Sequence, residues 1–356
     1  MLRNKRSMFG LRIAFLGFFA LTAGTRAVDP PPTRSDPARL ARIRAAQMPM
    51  ISQPVAFDTS EADAILSALE VFPPDNAFNQ LIDEWPLHPN SKSIVASMGS
   101  DKPFRYNPDM GFVIVPPDQP RVAVTLVEYP GESDAGPFPV PRNIPIEGWP
   151  AFYQRGNETP PTLETVQRRP TKYEGDRHAI VIDPVNRLLY EFFTFGKTTE
   201  GWAAGQASIF DLKTNTLRPD GWTSADAAGL PILPGLARYE EVQVGAILHA
   251  LRFTAPRTCS NHIYPARHDA GSYSCTTYPP MGLRVRLKAS VDISGFGPQA
   301  QVILLALKRY GMLLADNGSP WYVTGAPSAS WNDDDLHGLQ ALQGSDFEAV
   351  DTTNFR

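Results

Sequence analysis

Residues 176–193, DRHAIVIDPVNRLLYEFF, restrict the fold more than any other stretch of this chain. Two runs of β-branched and aromatic residues flank the turn Pro184-Val185-Asn186-Arg187, a pattern that predicts an antiparallel hairpin. Pairing across that turn sets Ile180 opposite Glu191 and puts His178, Ile182, Leu189 and Phe193 on the same face. Ala179, Val181, Tyr190 and Phe192 take the other face, and a hairpin apolar on both sides belongs in the middle of a sheet. Glu191 and His178 then become partly buried ionisable groups. Burial raises a carboxyl pKa and a nearby imidazolium lowers it, so this is either a tuned acid/base pair or a structural pair that satisfies its own hydrogen bonds.

The rest of the chain is heavily punctuated. Its 35 prolines and 26 glycines, many of them adjacent, favour short strands joined by elaborate loops. The expected fold class is α+β, sheet-dominated, with a β-sandwich or barrel-like core and a few peripheral helices. Further strands are expected at 112–115, 122–127, 202–212, 245–253 and 284–289. Asp316-Asn317-Gly318 reads as the turn of a second hairpin joining 312–315 to 321–323. The clearest helix starts at Pro298 and stops at Gly311. A last helix is expected over 330–342, with Asp333, Asp334 and Asp335 suiting its positive N-terminus better than a metal.

Residues 221–253 concentrate the chemistry. Gly229-Leu230-Pro231 and Pro234-Gly235 rule out a regular helix or central strand and fix a shaped loop around Trp222, Ser224 and Asp226. Such loops often hold functional side chains, although Ser224 and Asp226 would serve equally well as turn caps. Downstream lie Glu240, Glu241, His249 and Arg252, with His249 sharing a strand face with Ile247, Leu251 and Phe253.

At the N-terminus, residues 1–27 have the form of a secretory signal peptide: basic Arg3, Lys5 and Arg6, an apolar run, then Thr25-Arg26-Ala27. The apolar run is too short to span a bilayer comfortably. A periplasmic or extracellular location follows, without stable membrane insertion. Residues 28–57, Pro-rich and then basic, read as a mobile arm, and 58–356 as a single large globular domain. In an exported chain the only two cysteines, Cys259 and Cys275, pair with each other by default. Their bridge would pin a loop carrying His262 and His268. With 33 basic against 37 acidic residues, and no basic cluster interleaved with aromatics, nothing points to nucleic acid.

No GxSxG, HExxH, P-loop, EF-hand or GxGxxG motif is present, which removes support for the commonest hydrolase, nucleotide and calcium chemistries. The leading expectation is an enzyme that hydrolyses a polysaccharide or glycoconjugate without a cofactor. Two carboxylates among Glu191, Asp226 and Asp211 would be acid and base, with His178 and His249 assisting and Trp222, Arg252 and His268 binding substrate. A second reading is a hydrolase holding zinc or another divalent metal through His178, His249 and His268 with Asp226 or Glu191. A third is a non-catalytic carbohydrate-binding or cell-surface protein.

The segments PPDNAFN (73–79), GDRHAIVID, GWTSADAAGLPILPGL, HALRFT, PARH, DISGF and ALKRYGMLLADNGSPWY together resemble a group of uncharacterised exported bacterial proteins. The resemblance covers about residues 70–352. It implies a single exported unit and brings no activity with it.

Overall fold

A computed structural model describes residues 34–150, 161–168 and 175–353. The expected signal peptide lies outside the described residues. The hairpin forms in the register expected from its sequence. Strand β5 (Ala179–Asp183) pairs antiparallel with β6 (Leu188–Phe193), Ile180 opposite Glu191 and Val181 opposite Tyr190. It is central in a five-stranded sheet, with β1 (Val55–Ala56) and β3 (Phe112–Ile114) on one side and β9 (Gln206–Asp211) on the other. One face buries Ile180, Ile182 and Leu189 with Ile65 and Leu66 of helix α2 (Ser60–Ala68). The other buries Val181, Tyr190 and Phe192 with Phe138 and Phe195. Each such side chain withdrawn from water contributes about 1.5–3 kcal/mol, and here both faces collect that gain.

A second, six-stranded sheet runs in the order β14 (Phe347–Ala349), β11 (Arg284–Leu287), β12 (Met312–Asn317), β10 (Leu251–Ala255), β13 (Tyr322–Gly325) and β2 (Arg105–Pro108). Helix α6 (Pro298–Arg309) buries Ile303, Leu304 and Leu307 in that sheet's core, as does α3 (Ser91–Met98) with Ile94, Val95 and Met98. A small third sheet joins β4 (Val124–Leu126), β8 (Gly201–Ala204) and β7 (Gly196–Thr198). The class is α+β; among the described residues the three sheets are all mixed and none closes into a barrel.

Several local expectations are revised. The single strand expected over 202–212 divides at Gly205 into β8 and β9, which serve different sheets. A Cβ at Gly205 would crowd the Thr194 hydroxyl and the Glu128 carboxylate, so a larger residue would have to displace them. The hairpin expected around Asp316-Asn317-Gly318 does not form, because β10 lies between β12 and β13 and pairs with both. The strand expected from Gly245 begins only at Leu251, after helix α5 (Tyr239–Gln243), and the last helix is shorter than expected, α7 (Asp333–Gly338). Asp335 bonds the backbone N–H groups of Gln299 and Ala300 at 2.8 and 3.3 Å, capping α6.

The described part of the expected mobile arm, 34–57, is packed onto the body. Its helix α1 (Pro37–Ala45) is capped by Asp36, whose carboxylate also accepts from Arg309 at 2.7 Å and from the Tyr310 hydroxyl at 2.9 Å. Arg39 donates to the Val71 carbonyl at 2.6 Å. Arg39 and Arg42, among the basic residues that suggested a free arm, help to tie it down. Cys259 and Cys275 form the disulfide. Among the described residues no helix is long and apolar enough to cross a membrane.

Candidate functional site

The loop over 221–237 is wedged between the first and second sheets. Leu230 packs into the core of the second sheet, while Ile232, Leu233 and Leu236 pack into the first. Ala228 N–H donates to the Ala315 carbonyl at 2.8 Å and Ala237 N–H to the Thr324 carbonyl at 3.1 Å. On the other side, Ile232 N–H donates to both Glu191 oxygens at 3.0 and 2.8 Å, and Leu233 N–H to Oε1 at 2.8 Å. Gly229 makes the bend with φ +72, where a Cβ would lie 2.6 Å from the Trp222 carbonyl oxygen.

A charged seam follows this loop. Arg252 of β10 grips Asp226 with two hydrogen bonds of 2.7 Å and donates to the Thr324 hydroxyl with a third nitrogen. His178 Nδ1 lies 2.9 Å from Glu147 and Nε2 lies 2.8 Å from the Ala225 carbonyl. Two acceptors facing the two ring nitrogens call for the imidazolium. Burial alone would favour the neutral ring, but Glu147, aided by Asp176 and Asp226, holds the His178 pKa up to about 10. Burial pushes Glu191 up to about 7 against the Leu233 and Ile232 N–H groups. Asp109, buried and repelled by Glu147, is also pushed to about 7.

The seam borders a cleft of about 710 Å³ lined by Asp176, Asp316, Asn317, Ser224, His268, Tyr129 and Tyr273, among others. Ser224 and Ala225 are part of the lining, so the Ala225 carbonyl joins the cleft wall to His178 behind it. Asp316 arrives there through a β-bulge. Phe253 pairs with Leu314 but Thr254 pairs with Asp316, leaving Ala315 as an extra residue on β12. Bulges redirect side chains in this way and are frequent beside active sites. Asp316 is half-buried, and burial, followed by repulsion from Asp226, pushes its pKa to about 7 against the pull of Arg252 and His178.

The structure therefore assembles five of the eight sequence candidates around one seam, but places most of them behind the cleft. Glu191 and Asp226 are 0% exposed, and Arg252 and His178 are each 3% exposed. His268 reaches the lining, its Nδ1 2.8 Å from the Ala227 carbonyl. Asp211 stands apart, capping a turn through the Lys213 N–H at 3.0 Å. Trp222 is half-buried under the Arg218 guanidinium, 5.5 Å from its ring, and is not among the cleft-lining residues. His249 precedes β10 rather than lying on a strand, and bonds Glu241 at 3.0 Å in a separate cluster.

His178, His249 and His268 do not converge. Among the described residues no three His, Cys, Asp or Glu side chains approach one another as metal ligands would. Sequence reasoning missed Asp316 because Asp-Asn-Gly looks like a turn, and missed Asp176 although it stands two residues before His178. No family model, curated protein or solved structure matches this chain.

Proposed function

We propose that this chain is a secreted hydrolase of a polysaccharide or glycoconjugate, with Asp316 as general acid and Asp176 as the partnering carboxylate. The observation that carries this reading is a carboxyl group half-protonated near neutrality, with a pKa of about 7, at the edge of an open 710 Å³ cleft. Asp316 passes its proton to the glycosidic oxygen as the C–O bond breaks. Water attacks the anomeric carbon, its oxygen forming the new bond, and Asp176 takes the proton that water releases. The products are a hemiacetal and an alcohol, and proton exchange with solvent resets the two carboxyls. Arg252 and His178, the cations that oppose the rise of Asp316, stabilise its carboxylate once the proton has left.

Tyr129 and Tyr273, each 42% exposed in the lining, offer flat faces for sugar rings. The disulfide supports secretion, since such bonds persist in oxidising compartments. The test is release of reducing ends from a polysaccharide panel by the wild type, Asp316→Asn and Asp176→Asn. Loss of general acid catalysis is expected to slow turnover about 10²–10⁴-fold in Asp316→Asn while the far-ultraviolet circular dichroism is unchanged. No product from any polymer, together with saturable binding that Tyr129→Ala weakens, would instead make this a carbohydrate-binding protein.

A further inference from the structure

A second cavity, of about 750 Å³, opens against the same disulfide-stapled loop that lines the cleft. Its walls set apolar Ile94, Leu283 and the Tyr264 ring against the planar polar groups of Asn90, His262 and Arg267. The basic groups in that wall already have partners. Arg267 lies 3.0 Å from Asp220, and His262 sits between Asp220 at 3.1 Å and Asp269 at 2.6 Å. Matched charges give little attraction for a free anion, and a wholly apolar ligand would displace water from polar groups without replacing their hydrogen bonds. A sugar ring, apolar on its face and hydroxylated on its edge, answers both requirements.

We propose that this cavity is a second binding site for a neutral oligosaccharide. The ligand class rests on the glycan reading of the cleft. Two contacts run through the loop between the sites. Asp269 lines the cleft while its carboxylate holds His262 of the second cavity. Tyr273 of the cleft packs against Tyr278 of the cavity with ring centres 4.6 Å apart. A sugar in either site thus touches residues that hold the other site's wall.

The test is titration calorimetry on the full chain carrying Asp316→Asn, in which turnover is slowed. The probes are cellohexaose, xylohexaose, mannohexaose, maltohexaose, chitohexaose and, as a charged control, hexagalacturonate. At least one neutral hexamer is expected to fill two sites. Leu217→Trp, at a cavity-lining position that is 37% exposed, narrows the second cavity with little risk to the fold. It is expected to weaken one of the two sites by roughly tenfold or more, equivalent to about 1.4 kcal/mol, and the other by much less. A single site indifferent to Leu217→Trp, tighter binding of hexagalacturonate at the second site, or no binding by any hexamer would overturn the proposal. Reducing-end release by the wild type, read in parallel, separates the two assignments. Two sites without release would sink Asp316 as the acid and keep the cavity, whereas release with one site would do the opposite.

Discussion

Arg252, Asp226, His178 and Glu191 lie behind a cleft of about 710 Å³, whereas Arg238, Glu241 and His249 line a void of about 20 Å³, with Glu240 bonded to Arg238. The two clusters are built from similar parts. Each has an arginine holding carboxylates, Arg252 on Asp226 and Arg238 on Glu240 and Glu241. Each has a histidine bonded to a glutamate. Each has an acid near neutrality: burial pushes Asp316 to about 7 in one, and burial with Glu241 alongside pushes Glu240 to about 7 in the other. The difference is access. Asp316 borders the open cleft, while Glu240 is buried on Arg238 at 2.7 Å and α1 lies over the cluster, with Arg42 donating to Glu241 and to the Ala246 carbonyl. A shifted pKa therefore marks a buried charge, and only an opening onto a cavity of ligand size turns it into a candidate for chemistry.

Breaking either cluster should cost the same. Arg252→Met and Arg238→Met each leave buried carboxylates without their cation, and each is expected to lose about 3–5 kcal/mol in urea unfolding. A loss below about 1 kcal/mol in either would show that its cluster does not bind the structure together. Removing the disulfide by Cys259→Ser with Cys275→Ser is a smaller perturbation, confined to the cleft side. The same unfolding experiment should show a loss of about 3 kcal/mol for a loop of this size, and an unchanged midpoint would mean that the loop is held by its other contacts.

The two clusters should also fail at opposite ends of the pH range. The His178 pKa rises from 6.5 to about 10 on folding, so the stability it adds is complete below 6.5 and fades as pH climbs through 10. Arg238, and then His249, hold Glu241 down from 4.5 to about 2 despite its burial, so its contribution is complete above 4.5 and lost as pH falls through 2. Melting temperatures across that range should show His178→Asn flattening the alkaline limb and Glu241→Gln the acid limb. Either variant flattening the other's limb would reverse the assignments. The smallest effect is expected at the cleft rim, where Tyr129→Ala and Tyr273→Ala each lose about 1 kcal/mol of ring contact, read as a higher KM at constant kcat. A fall in kcat alone would place the ring in the chemistry.

Local patterns in the sequence predicted local structure well. The hairpin, its register and its two buried faces follow from side chains alternating every second residue, and α6 from its proline start and glycine stop. The Pro/Gly loop was equally visible as a rigid connector. Its role was not, because Glu191 and Arg252 reach it from two different sheets. Asp226 read as a catalytic acid or a turn cap, whereas in the fold it is the buried partner of Arg252. Asp316 was hidden by the reverse effect. Asp-Asn-Gly has the local chemistry of a turn, but β10 inserting between β12 and β13 keeps it in a strand, and the bulge at Ala315 delivers it to the cleft. Both facts depend on non-local pairing, which side-chain periodicity does not encode.

The most direct test sets Asp316→Asn against Glu240→Gln on whichever polymer the wild type cleaves, measuring turnover at pH 6 with both variants checked for intact fold. Asp316→Asn should lose about a hundredfold or more and Glu240→Gln should stay close to wild type. Equal losses in the two variants, or the greater loss in Glu240→Gln, would contradict the account that access to the cleft separates the two acids.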